Sequence, residues 1–292
     1  MKIGIFLPTS PQDHVAALSA MEVGLRTCGE DVFCSRLEDG YKECDVAVVF
    51  GVGKKAVPAS WPRGEVIKEH RARGRHYIVL EKGFLQRDLY FHAGWDGLNG
   101  RANFVNMFSP EDRFEKLGVE LKPRRASLFT EPVVVCGQVP WDATVEGTDH
   151  EKWCQFAIDY VRRYTRRPVL FRPHPAVGQA EAAKVYGFSI LPPMCVEPLE
   201  EVLTFAHALV TFNSSTACHA VVEGACVFAV DDGSMAYEVC QHDLAKVDRC
   251  EHVSDEQLGV WARNLAYAQW NLEELSSGET WRHLRGLFEY EW

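Results

Sequence analysis

The chain has 292 residues, 47% hydrophobic and 25% charged, an ordinary globular composition long enough for two domains with cores of their own. No apolar run approaches the roughly 18 residues of a membrane span, and Met1 to Ser10 enters a strand pattern without a charged leader and cleavage site, so a soluble, cytoplasmic protein is expected. The net charge of -10 is uneven: 19 Lys and Arg stand against 17 Asp and Glu in residues 1–130, and 12 against 24 in residues 131–292, so a polyanionic partner would prefer the first half.

Lys2 to Pro8 is a short apolar run, followed by a helical pattern from His14 to Cys28 that stops at Gly29. Strands are predicted at Asp31 to Ser35, Cys44 to Gly51 and Arg75 to Glu81, with a helix over Gly64 to Arg73. From Lys82 to Phe108 neither period holds, and the segment is expected to be a long functional loop. After a join near residues 122–132 the cycle restarts. Strands are predicted at Pro132 to Gly137, Val169 to Arg172, Ala208 to Phe212 and Val227 to Val230, with helices at Trp153 to Tyr164, Leu199 to Ala206 and Ser215 to Gly224. The tail from Asp255 to Leu287 has a long helical pattern interrupted at Ser276-Ser277-Gly278. Strands alternating with helices, twice over, predict an α/β protein of two Rossmann-like domains facing a cleft, residues 1–128 and 129–292, with the C-terminal helix returning to the first. No internal repeat or low-complexity segment occurs.

The ten cysteines are scattered without a C-x-x-C pair, which argues for reduced, buried thiols rather than metal or disulfide use. Asp231-Asp232 is the nearest imitation of a D-x-D metal motif, and no metal or cofactor is expected. Nothing in the sequence sets an oligomeric state.

Chemistry-bearing residues gather at predicted strand ends. Asn213-Ser214-Ser215-Thr216 ends a strand and opens a helix, either as an anion site or as a plain N-cap. Glu223, about two turns on, is a candidate for a ribose diol or an ordinary surface carboxylate. Arg172-Pro173-His174-Pro175 holds a cation and an imidazole at a strand end, as phosphate partners or as a rigid turn. Gly137-Gln138 could let backbone N–H groups approach a diphosphate. In the first half, Asp96 lies in a glycine-rich loop, Gly94 to Arg101, as a functional carboxylate or an Asx-turn. Asp13 and His14 follow the first strand, as site residues or an N-cap pair. Basic clusters occur at Lys54-Lys55, Arg63 to Arg75, Lys122 to Arg125 and Arg162 to Arg167.

The segments RPHP (172–175) and NSSTACHAVVEGACVFAV (213–230) resemble the GT-B glycosyltransferases, with a second half similar to Kdo and capsular-polysaccharide transferases over residues 132–240. GWDGLNGRANF (94–104) and AQWNLEELSSGETW (268–281) resemble small glycosyltransferases of bacterial viruses, some of which modify hydroxymethylated bases in DNA. The resemblance implies transfer of a sugar from a nucleotide-sugar, expected to be a UDP-sugar, without a bound metal. It implies that Gly137, Arg172, His174, Ser214, Ser215, Thr216 and Glu223 bind the donor and that Asp96 activates the acceptor; their strand-end positions add Gln138 and Asn213 to the expected donor site and make Asp13 or His14 the substitutes for Asp96. Trp95, Asn99 and Arg101 would bind the acceptor, expected to be a 5-hydroxymethylcytosine flipped from DNA. A polysaccharide or lipid-linked acceptor fits the second half equally well, and a non-catalytic nucleotide-sugar-binding protein is the alternative from another class.

Overall fold

The computed structural model describes residues 1–53 and 61–286, so the Lys54-Lys55 pair lies outside the described residues. In chain order the elements are β1 (Lys2–Leu7), α1 (Gln12–Thr27), β2 (Asp31–Arg36), β3 (Val46–Phe50), α2 (Trp61–Ala72), β4 (Tyr77–Lys82), β5 (Tyr90–Trp95), α3 (Asp112–Leu117), β6 (Val133–Cys136), α4 (His150–Tyr164), β7 (Val169–Arg172), α5 (Gln179–Val185), α6 (Leu199–Phe205), β8 (Ala208–Thr211), α7 (Thr216–Val222), β9 (Cys226–Ala229), α8 (Asp255–Ala266), β10 (Gln269–Asn271), α9 (Leu272–Ser276) and α10 (Glu279–Leu284). No helix among the described residues is long and apolar enough to cross a membrane.

Two compact units result: Met1–Leu117 with the chain from Ala262 onward, and Gly118–Trp261. The division precedes the 128/129 join expected from sequence because residues 118–131 are bonded into the second unit. Lys122 N donates to Val222 O at 2.8 Å, Arg125 N to Gly224 O at 3.3 Å, and Arg125 pairs with Glu131 at 2.7 Å.

The sheet of the first unit has the order β10-β5-β4-β3-β1-β2. β1, β2, β3 and β4 run parallel, and β5 is antiparallel to both β4 and β10. All five residues of β3 are buried, the continuous apolar run of a strand covered on both faces. All six residues of β5 are buried too, which is why no alternation marks it and a loop is expected there from periodicity. The tail likewise departs from one long helical pattern, breaking into α8, β10, α9 and α10. α1 meets the tail backbone at Gly24, where a Cβ would stand 2.0 Å from Leu275 O. Only glycine permits that approach.

One buried ion pair fastens the tail. Arg113 of α3 donates through Nη1 and Nη2 to the two oxygens of Glu274 at 3.0 and 3.1 Å, and its Nη2 and Nε reach the carbonyls of Gln269 and Ala266. Its guanidinium lies 3.7 Å from the centroid of the Trp270 ring. Burial opposes the charge on Glu274, but hydrogen bonds from Arg113 and Lys116 outweigh it and hold the carboxyl below its usual range. Glu274 also closes a capping box with Asn271 at the start of α9.

The sheet of the second unit, β7-β6-β8-β9, is wholly parallel. Its core joins Val133 and Val135 with Phe171, Val210 and Phe228, under Cys154, Ile158 and Val161 of α4. Cys226 and Cys250 form a disulfide, where the sequence led us to expect ten thiols; the fold brings their Cα atoms to 5.6 Å across 24 residues. Among the described residues no cluster could hold a metal ion.

Two buried histidines set an acid limit on this fold. Burial pushes His92, stacked on Phe84, down to about 3, and His150, whose Nε2 accepts the Gln138 N–H at 2.9 Å, down to about 4. Both are neutral in the native state at pH 7 and ordinary in the unfolded chain, so their stabilising contribution is complete above pH ~6.5 and is lost as pH falls toward 4. Urea titrations should show the unfolding free energy declining over that window, with His150→Gln and His92→Phe each flattening the decline. Arg113→Ala strands a buried carboxylate and should lower stability by about 3–5 kcal/mol at pH 7 in the same measurement.

Candidate active site

In a parallel sheet every strand points the same way, so the loops leaving the strands collect on one edge, where open α/β sheets bind ligands. In the second unit that edge carries Gly137 and Gln138 after β6, Arg172 to Pro175 at the end of β7, Asn213 to Thr216 after β8, and Asp231 after β9.

These residues divide by what their polar atoms already do. Gln138, 6% exposed, and Asn213, 2% exposed, are used up by each other. Gln138 Nε2 donates to Asn213 Oδ1 at 2.8 Å and to Thr144 Oγ1 at 3.1 Å, and its Oε1 accepts Asn213 N–H at 3.0 Å. Asn213 Nδ2 donates to Thr144 O and Asp231 Oδ1. Both side chains tie the loops after β6, β8 and β9 together, and neither keeps a donor hydrogen for a ligand. Gly137 has a packing reason as well: a Cβ there would lie 2.6 Å from Phe171 and 2.8 Å from Tyr186.

Arg172, His174 and the hydroxyls remain. Arg172 Nε donates to Glu197 O at 3.3 Å, and no acceptor among the described residues takes its Nη hydrogens. His174 Nδ1 accepts the Ala176 N–H at 3.1 Å, which puts the proton of the neutral ring on Nε2. Ser214 Oγ and Thr216 Oγ1 share one hydrogen bond of 2.9 Å, so the pair keeps one hydroxyl proton to donate elsewhere. Ser215 caps α7 without a side-chain bond to it.

Glu223 does not join them. α7 runs back from the carboxyl edge to the amino edge, and Glu223 ends it, eight residues and about 12 Å of helix from Ser215. There it pairs with Lys122 at 2.5 Å, and Gly224 turns at φ +72° against Pro123 O. A ribose held at the carboxyl edge lies beyond its reach.

In the first unit the same edge is built from Asp13 and His14 after β1, Phe50 and Gly51 at the end of β3, and Glu81 and Lys82 at the end of β4. Asp13 pairs with Lys82 at 2.7 Å, and that hydrogen bond holds its carboxyl below the usual range. The His14 ring stacks on Phe50 with centroids 3.7 Å apart, its Nε2 is 4.0 Å from Asp13 Oδ1, and its Nδ1 has no partner among the described residues. Burial lowers its pKa from the ordinary value, so the imidazole is neutral at pH 7. Arg63 of α2 donates to Phe50 O at 2.9 Å. Sequence reading placed Arg63 in a basic cluster, Glu81 at the end of a predicted strand and Lys82 at the start of the long loop, and assigned none of the three to a site.

Asp96 stands at the opposite edge. β5 is antiparallel, so its last residue, Trp95, lies across from Ile78 near the start of β4. Asp96 takes φ +58° and spends its carboxylate on Tyr77 N at 2.9 Å and His76 Nδ1 at 2.5 Å. It closes the β4–β5 pair as a structural turn. Trp95 is fully buried, donating Nε1–H to Leu284 O at 2.9 Å, so it offers no acceptor a face. Asn99 and Arg101 belong to the 3-10 turn that follows, on the same amino edge. The basic clusters are also largely spoken for: Arg73 pairs with Glu69, Arg75 with Glu43, Lys122 with Glu223, Arg125 with Glu131 and Arg167 with Asp248.

No family model and no curated protein matches the sequence. Among solved structures the chain is similar to the β-Kdo 2,4 transferase of Thermosulfurimonas dismutans KpsC, at 15% identity and a TM-score of 0.57, covering 90% of this chain and 89% of that one. It is also similar to the β-Kdo 2,7 transferase of the same KpsC, at 14% identity and a TM-score of 0.52, over 99% and 100%. These likenesses show the fold: an α/β chain with the GT-B architecture of two Rossmann-like sheets.

Proposed function

We propose that the chain is a glycosyltransferase that moves a sugar from a nucleotide-activated donor, bound on the second unit, to a hydroxyl of a saccharide acceptor. The observation that carries this reading is the gathering of Arg172, His174 and the Ser214 and Thr216 hydroxyls on the carboxyl edge of a fold shared with β-Kdo transferases. Arg172 and the hydroxyls meet the diphosphate or phosphate of the donor and stabilise the charge that builds on it as the glycosidic bond breaks.

On the first unit, His14 is the group fitted to take the acceptor proton. It is neutral at pH 7, and although its Nδ1 is buried, the side chain keeps 19% of its surface exposed, so Nε2 is the nitrogen that would receive the proton. The Asp13 carboxylate at 4.0 Å steadies the imidazolium that forms. Asp13 itself is a weaker base, because Lys82 holds it ionised. A saccharide acceptor is favoured over DNA because the loop that supported a flipped base has its tryptophan buried and its carboxylate hydrogen-bonded at the amino edge. The Kdo transferases named above are the second support for a saccharide.

The test is initial-rate measurement with UDP-hexoses and a CMP-activated ulosonic acid as donors, against oligosaccharides and hydroxymethylated DNA as acceptors. Transfer to DNA alone would overturn the saccharide reading, and binding of nucleotide without any transfer would favour a sensor. His14→Ala should lower turnover about 10²–10⁴-fold with the donor KM little changed, whereas Asp96→Asn should stay near the parental rate. Because burial lowers the His14 pKa, the parental rate should hold through the ordinary imidazole range and fall only on its acid side, where His14 takes up a proton, and His14→Ala should lose that limb. Arg172→Ala should weaken nucleotide binding by about 1–3 kcal/mol in calorimetry.

A further inference from the structure

The loop after β6 holds an exposed tryptophan that the assignments above do not use. Asp142 N–H donates to Val139 O at 2.8 Å, closing a turn with Pro140 and Trp141 at its tip. Trp141 is 46% exposed. Its indole meets no other ring, and its Nε1 has no hydrogen-bond partner among the described residues. A large aromatic left in water on a mobile loop would signify little, but this turn is fastened. Asp142 Oδ1 accepts from Thr144 N at 2.9 Å and Thr144 Oγ1 at 2.8 Å. Thr144 in turn accepts Gln138 Nε2–H at Oγ1 and Asn213 Nδ2–H at its carbonyl. The buried Gln138–Asn213 pair thereby joins the tryptophan turn to the loop that carries Ser214 and Thr216.

Resting on the donor assignment above, we propose that the Trp141 indole is the platform on which the base of the donor nucleotide stacks. A nucleoside diphosphate presents two chemistries at opposite ends, anionic oxygens and a flat aromatic base. The hydroxyl loop and Arg172 suit the first. Trp141, held to that loop by side-chain hydrogen bonds, suits the second, because a fixed indole stacks on a base at little entropic cost. The buried amides then have a function without touching ligand: they set the spacing between the two ends of the nucleotide site. Trp141 is a binding residue, and the chemical step does not depend on it.

The experiment is calorimetry with UDP, CMP and inorganic pyrophosphate as probes, on the full chain. Trp141→Ala should weaken the nucleotide that the parent binds by about five- to hundredfold while pyrophosphate binds as before, and Trp141→Phe should recover most of the loss. Arg172→Ala should weaken nucleotide and pyrophosphate together. In turnover Trp141→Ala should raise the donor KM and leave kcat nearly unchanged. Nucleotide binding equal to the parent's in Trp141→Ala overturns this proposal and leaves the donor site standing. Equal losses for nucleotide and pyrophosphate also overturn it, since they mark a merely structural residue. A parent that binds neither nucleotide removes the donor site itself, and the platform with it. Thermal melts matching the parent's certify each variant as folded.

Discussion

Strand direction is the constraint on which the chemistry of this molecule depends. Eight strands run parallel within their sheets, and each delivers its following loop to the carboxyl edge of its own unit. Residues as distant in the chain as Gln138 and Asn213 hydrogen-bond because β6 and β8 are parallel neighbours. β5 is the antiparallel exception, and its reversal alone carries Asp96 and the glycine-rich loop to the edge where no other candidate lies. A carboxylate in a tight glycine loop is therefore read differently according to a sheet order that neither the loop's composition nor its turns reveal.

Hydrogen-bond saturation then separates the groups that shape the site from those able to act in it. Gln138 and Asn213 are buried, and burying an amide is tolerable only when its polar atoms are paired. Once paired, they become rigid braces between loops. Arg172, Ser214 and Thr216 are less deeply buried and keep donor capacity. The first unit repeats the pattern: Asp13 is committed to Lys82, while His14 is packed on Phe50 with one nitrogen unpartnered. Burial lowers the pKa of that imidazole, and the adjacent Asp13 carboxylate opposes the shift.

The same accounting explains the tail. Arg113 and Glu274 are deeply buried, yet every nitrogen of the guanidinium has an acceptor and the carboxylate has three donors, Arg113, Lys116 and the Asn271 N–H. Such a pair gives specificity to the docking of β10 and α9 against the first sheet more than it gives net stability. Gly24 makes the approach of α1 to α9 sterically possible.

The sequence by itself determined the alternation of strands and helices, the restart of that cycle after residue 131, and the strand-end positions of Arg172, His174, Asn213 to Thr216, Asp13 and His14. Each follows from local periodicity, turn residues and caps, which are properties of neighbours in the chain. Only the tertiary structure decided the rest. β5 was invisible because burial on both faces erases alternation. Glu223 looked close to Ser215 in sequence but sits at the far end of a helix that spans the sheet. Gly137 looked like a phosphate glycine, and the reason for it lies in Phe171 and Tyr186, 34 and 49 residues away. Lys82 and Asp13 are 69 residues apart and meet only through the order of β1, β3 and β4. Which polar group is spent and which is available depends on partners brought in by long-range pairing, and a residue's own neighbours do not carry that information.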